Sequence, residues 1–279
     1  MIYGIRISSM KRDMAMRAVA RTAAKTAFFV GALVSGMGLA AAADLPVKAT
    51  QVAHYDWTGF YVGGNAGYGW SRAASSLEYL LNGVPMPITA GVPDSYRNNS
   101  SGFIGGGQVG YNFQINRTVL GIEADLSYSD VHIDNTINGT TAAATPFTST
   151  QSQKLKWLAT LRGRVGYTPN DALLLYVTGG LAFGRVEDST RLAFNTVGGT
   201  TYFGSGTSTR SGWTVGGGAE YGISTNLSAK LEYLYFDLGR TSLNGIDVLF
   251  PGNPFQTHAQ FDHNGHIARL GLNYRFSGR

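Results

Sequence analysis

The stretch "KLKWLATLRGRVGY", Lys154 to Tyr167, decides the reading of the fold. Taken every second residue, it separates into two sets. Leu155, Trp157, Ala159, Leu161, Gly163, Val165 and Tyr167 fall on one side, and Lys156, Thr160, Arg162 and Arg164 on the other. A period of two belongs to a β-strand, whose successive side chains point to opposite faces. In water the apolar side of such a strand turns to a core. Here that side is made of small and aromatic residues suited to lipid, and the other side carries charges that need partners wherever water is scarce.

The same split recurs along the chain. In "LGIEADLSY", Leu120, Ile122, Ala124, Leu126 and Tyr128 oppose Glu123 and Asp125. In "RLGLNYRF", Leu270, Leu272, Tyr274 and Phe276 oppose Arg269, Asn273 and Arg275. Eight such segments are expected, near 57–71, 101–115, 118–133, 154–168, 172–187, 212–224, 227–240 and 263–276. Their connections alternate between minimal ones ("INRT", "TPND", "ISTN") and long ones of about 29, 20, 24 and 22 residues. This segregation predicts an all-β fold: an eight-stranded antiparallel up-and-down transmembrane β-barrel with short periplasmic turns, four long external loops and both termini periplasmic. Closure of the barrel satisfies every backbone group without water.

Composition agrees. The 279 residues include 38 glycines, 12% aromatics and only 14% charged side chains, against about 25% charged in ordinary soluble domains. The net charge of +5 suggests nucleic acid until it is located. Residues 1–43 hold Arg6, Lys11, Arg12, Arg17, Arg21 and Lys25 with one acid, Asp13; removing six from 22 and one from 17 leaves 16 basic and 16 acidic residues. No basic patch remains to follow a phosphate backbone, so nucleic acid is not an expected partner. The basic leader runs into an apolar stretch, Ala27 to Leu39, and then a run of alanines with Ala41 and Ala43 in the small positions of a cleavage site. Residues 1–43 are therefore expected to be a cleaved signal peptide, 44–56 an N-terminal periplasmic segment, 57–276 the barrel and 277–279 a C-terminal tail. With no cysteine, the exported chain must hold together by packing and backbone hydrogen bonds.

The inward side collects a nearly balanced set of charges: Glu123, Asp125, Glu220 and Glu232 against Arg162, Arg164, Lys230, Arg269 and Arg275. These residues could line a selective channel or fill the lumen as an ion-pair network. A barrel of eight strands has an interior just wide enough for side chains, and buried charges are costly unless paired, which favours the network. On the outward side, "FYVGGNAGYGW", "FIGGGQVGYNF" and "WTVGGGAEYGI" each place two aromatics eight residues apart: Phe60 and Tyr68, Phe103 and Tyr111, Trp213 and Tyr221. Eight residues of tilted strand rise by about 20 Å, close to the apolar band of such barrels, so these six are expected to form two aromatic girdles.

Three patterns point elsewhere. Gly105, Gly107 and Gly110 spell G-x-G-x-x-G, but the residues that follow are another alternating strand rather than the helix a nucleotide phosphate requires. His258, His263 and His266 lie close in sequence, at no standard metal spacing. The loops are rich in serine, yet nothing marks one as a nucleophile. No catalytic residue, metal ligand or cofactor is expected.

The stretches "ADLPVK", "DWTGFYVGGNAGYGW", "LLLYVTGGLAFG", "GWTVGGGAEYGI", "KLEYLYFDLG" and "ARLGLNYRF" together resemble the small outer-membrane immunogenic, porin-family proteins of alpha-proteobacteria, similar in architecture to opacity and OmpA-type barrels. The resemblance implies a non-enzymatic envelope barrel, with outer-membrane lipid and lipopolysaccharide around it and a host or environmental ligand at its external loops. It also implies the barrel-assembly machinery as a partner, reading Phe276 as the terminal aromatic, here followed by Ser277, Gly278 and Arg279. Family members that are porins or haem binders keep a diffusion porin and a haem-binding barrel open as alternatives. N-terminal sequencing of the exported protein is expected to start at Asp44; a start upstream would mean that the leader is retained.

Overall fold

The computed structural model describes residues 55–86 and 91–276. The expected signal peptide, all but the end of the 44–56 segment, and the 277–279 tail lie outside the described residues. Nine strands are present among those described: β1 (Gly59–Leu81), β2 (Val84–Met86), β3 (Ser95–Ile115), β4 (Thr118–Thr140), β5 (Pro146–Asn170), β6 (Leu173–Phe194), β7 (Thr201–Gly222), β8 (Leu227–Asp247) and β9 (Phe255–Phe276). They form one antiparallel sheet in the order β2-β1-β3-β4-β5-β6-β7-β8-β9, and β1 also pairs with β9. The ring therefore passes through eight strands, while β2 only folds back on the end of β1, with Tyr79 opposite Met86. Along the closing seam Phe60 stands opposite Phe276, Gly64 opposite Leu272 and Trp70 opposite His266.

One end of the ring carries the short turns, at 116–117, 171–172 and 223–226, together with the entry of β1 and the exit of β9. Asn116 adopts φ 54, a left-handed conformation that asparagine tolerates in a tight turn. Gly59, at φ 134, starts β1 where a side chain would meet the Phe276 carbonyl, so only glycine fits there.

The other end corrects the sequence reading. Four long loops were expected, but most of their residues continue the strands, leaving connections at 82–83, 91–94, 141–145, 195–200 and 248–254 among the described residues. From Tyr68 to Leu81, β1 runs about 13 residues beyond the expected outer girdle, a rise of about 30 Å at ordinary strand rise and tilt. The reason is a second core. Leu77, Tyr79, Tyr96, Phe147, Leu192, Tyr202, Ala259 and Phe261 are buried inside this collar. Their outward neighbours are polar, as in Asn138 hydrogen-bonded by Thr148 and Thr136 by Thr150. Apolar-in and polar-out is the pattern of a strand in water. The hydropathy of the wall thus reverses between the lower ring and the collar, and the Ser, Thr and Asn content of these segments suits the wet face of a strand as well as it suits a loop.

The stretch that decided the fold contains its own irregularity. Leu155 is opposite Val186 and Trp157 is opposite Arg185, so Lys156 is an extra residue in β5. The ladder with β4 shifts at the same level, between Tyr128 and Val131. Such a bulge moves every later side chain to the other face. Leu155 consequently points inward, packed with Val131 and Leu158, and does not share a face with Trp157 as strict alternation implies.

The four glycines of "FIGGGQVGYNF" differ in what they tolerate. A methyl group on Gly106 would collide with the Leu126 carbonyl and the Ser127 backbone, whereas one on Gly107 would meet only the Gly63 carbonyl, at 3.8 Å. Gly107→Arg is expected to cost about 2–4 kcal/mol on the lipid side at mid-bilayer, with Gly107→Leu nearly neutral. Urea refolding into lipid vesicles would measure both, and unchanged stability of Gly107→Arg would remove this residue from the lipid face.

Candidate functional site: the packed lumen and its outer wall

The inward charges of β4, β5, β7, β8 and β9 meet in one cluster. Arg162 donates to Glu123, to Asp125 at 3.0 Å and to Glu232 at 3.1 Å. Arg269 spans Asp125 at 3.1 Å and Glu232 at 2.6 Å. Lys230 reaches both oxygens of Glu123 at 2.9 Å, and Arg164 pairs with Glu220 at 3.1 Å. Every one of these side chains is buried. Four carboxylates and four cations face one another, a balance that lets each remain charged in a dry interior.

Neutral donors and acceptors complete the set. Tyr61 donates to Glu123 at 2.7 Å, Tyr176 to Glu232 at 2.9 Å and Asn273 to Glu220 at 2.7 Å. Asn112 accepts from Arg164 at 2.7 Å. The Arg164 guanidinium also lies 4.8 Å from the Tyr61 ring and 5.3 Å from that of Tyr176, within range for cation–π attraction. Neither tyrosine was assigned in the sequence reading, although parity turns Tyr61 inward beside the outward Phe60 and Tyr176 inward between Leu175 and Val177. Gly110 has its reason here, since any side chain on it would displace the Tyr61 hydroxyl. Arg275 lies apart from the cluster: it donates to the Thr58 carbonyl at 3.1 Å and the Thr225 carbonyl at 2.7 Å, with Tyr55 beneath its guanidinium.

Apolar layers lie on both sides of the charges. At the short-turn end Tyr55 and Trp57 tuck under the barrel against Val119, Leu174 and Tyr176. Trp57 is thus a plug residue rather than the first residue of a strand, held by its indole N–H to the Asp171 carbonyl at 3.3 Å. Towards the collar, Ile104, Leu158, Ala182, Leu234, Phe236 and Ile267 form the next layer. Above it a cavity of about 40 Å³, beside Ser71, Gln153, Phe236 and His263, has room for only a few waters.

The outer wall is apolar. Phe60, Tyr68, Phe103, Tyr111, Trp213 and Tyr221 are all exposed. Phe60 is opposite both Tyr111 and Phe276 near the short turns, and Tyr68 is opposite Phe103 at the foot of the collar. Phe276 is itself exposed, with its ring stacked 5.8 Å from Phe60. Tyr128, Trp157 and Tyr233 stand on the outer side near the level of Tyr68 and Phe103, although the sequence reading did not assign them to a girdle. The three histidines do not share a site. His258 is held by Asn244 at 2.7 Å, and His266 accepts or donates at 2.7 Å with the outward Tyr233. His263 points inward to Asp188 at 3.2 Å and Thr241 at 3.0 Å.

A closed antiparallel ring with a lipid-compatible exterior and ion pairs for an interior is the architecture of an integral outer-membrane β-barrel. The chain belongs to the outer membrane protein beta-barrel domain family, whose model matches residues 29–276. It is 36% identical over 244 residues to the 31 kDa outer-membrane immunogenic protein of Brucella melitensis, covering 85% of this chain and 93% of the relative. A 22 kDa outer membrane protein of Rhizobium leguminosarum bv. viciae is 32% identical, over 70% of this chain and 69% of its own. Among solved structures, OprG from Pseudomonas aeruginosa is similar at a TM-score of 0.45 and 12% identity, covering 81% of this chain and 99% of that one.

Removing one member of a buried ion cluster strands its partners. Arg162→Met is expected to destabilise the barrel by about 3–5 kcal/mol. Arg240→Met, which breaks an exposed pair with Asp262 at 2.7 Å, should cost less than about 1 kcal/mol. Urea titration of vesicle-refolded protein separates the two, and equal losses would contradict the buried placement of Arg162.

Proposed function

We propose that this outer-membrane barrel is a non-conducting, non-enzymatic envelope protein: an eight-stranded transmembrane ring that anchors a rigid collar at the cell surface. The observation that carries this reading is the filled lumen, where an aromatic plug, eight mutually paired charges and an apolar layer follow one another along the axis. The ion pairs are spent on each other, which disfavours the channel-lining role and so the diffusion porin.

Orientation follows from the asymmetry of the ends. Short turns and both strand termini share one end, which in such barrels faces the periplasm, and the collar then stands outside. The two aromatic levels mark the edges of the hydrocarbon, with lipopolysaccharide at the collar foot. The barrel-assembly machinery reads Phe276, opposite Phe60 on the last strand, as the terminal aromatic. The collar presents the turns at 82–83, 141–145, 195–200 and 248–254 to a host or environmental ligand. Planar-bilayer recording of the refolded barrel should show no stable openings. Steady nanosiemens-scale steps would overturn the closed-lumen reading.

A further inference from the structure

The double bulge at Lys156 has a consequence on the outer wall. Because β5 carries an extra residue there, Lys156 and Trp157 both lie at the outer surface, although they are consecutive. Lys154 is also partly exposed, and Arg185, the register partner of Trp157, is exposed one outward position beyond Phe183. Three cations thus gather within one step of two aromatic side chains. The carboxylates around them are Glu187, 2.9 Å from Lys156, and Asp130, 3.5 Å from Lys154, with His132 3.8 Å from Asp130. The charge of this group is +1 with His132 neutral. Both ion pairs are solvent-exposed and therefore weak and exchangeable. Arg185 has no ion pair or hydrogen bond among the described residues.

We propose that this bulge builds a binding site for the phosphate of an anionic lipid headgroup in the surrounding leaflet. The inference rests on the membrane placement given above, which puts the aromatic level at the hydrocarbon edge and these cations one step beyond it, at headgroup depth. The Arg185 guanidinium supplies a planar fork that matches two phosphate oxygens, and Lys156 and Lys154 supply ammonium charge from the same side. Trp157 gives the adjoining glycerol or sugar and acyl chain an amphipathic surface. Without the bulge Lys156 would turn into the lumen, where Leu155 and Leu158 pack, and the site would lose its second cation. The bulge therefore serves the wall and the site together: it admits Leu155 to the apolar layer and turns a lysine out to the headgroups.

The test uses the full folded chain in detergent micelles doped with equal amounts of dioleoyl phosphatidic acid and dioleoyl phosphatidylcholine, with retained lipid counted by native mass spectrometry. Wild type should keep phosphatidic acid in preference to phosphatidylcholine. Arg185→Gln alone should reduce that retention, and Lys156→Gln with Arg185→Gln should reduce it about fivefold or more, as loss of charge-assisted phosphate contacts implies. Arg240→Gln, another exposed guanidinium, should leave it unchanged. No lipid preference in wild type, full retention in the double variant, or an equal loss in Arg240→Gln would overturn the proposal. So would complete displacement of the lipid by excess inorganic phosphate, which would assign the site to free phosphate. Membrane placement is read separately, by flotation of the same variants with lipid vesicles; variants that float normally but lose phosphatidic acid support the site.

Discussion

The pairing of β1 with β9 is the constraint on which the rest depends. Inside a bilayer each unpaired backbone N–H or C=O costs several kcal/mol, and an open sheet would expose two full edges of them. Running Phe60 against Phe276 and continuing to Trp70 against His266 removes both edges. Closure through so few strands then sets the width of the lumen, which is enough for side chains and for little else. Every inward position becomes a packing problem, while the outward positions of the lower ring carry exposed apolar side chains.

The ion cluster answers the packing problem in a way that also fixes register. Each strand of the ring contributes to it: Tyr61 from β1, Asn112 from β3, Glu123 from β4, Arg162 from β5, Tyr176 from β6, Glu220 from β7, Lys230 and Glu232 from β8, and Arg269 from β9. A slip of one residue in any strand would withdraw its polar group from the cluster and place it in lipid. Apolar residues could fill the same volume, but they would discriminate far less between registers.

The wall is built for two solvents. Below the bulges its apolar side faces out, and above them its apolar side faces in, with Phe147, Leu192 and Phe261 in the collar core. The bulges at Tyr128–Val131, Leu155–Trp157 and Asp237–Arg240 sit close to this change of environment. There the wall shifts parity, brings Leu155 inside and turns Lys156 out. One continuous strand thereby serves a lipid-facing ring and a water-facing collar.

Much of this was legible in the residues themselves. Period-two alternation with charges on one side, together with short and long connections in turn, determined the sheet, its antiparallel order and which face of the lower ring is polar, because these follow from strand geometry and the cost of burying charge. The same local rules led to three errors of extent: the collar was read as loops, Leu155 was placed with Trp157, and Trp57 was made the start of a strand. Each error has a long-range cause. Collar strands are recognisable only when Phe147, Leu192 and Phe261, from three separate strands, are seen to pack together. A bulge leaves no mark in composition, and a plug is defined by what lies above it. Which charges pair, that Tyr61 and Tyr176 join them, and that Arg275 stands apart on backbone carbonyls were decided by closure of the ring alone, since only the tertiary structure brings side chains more than a hundred residues apart within hydrogen-bonding distance.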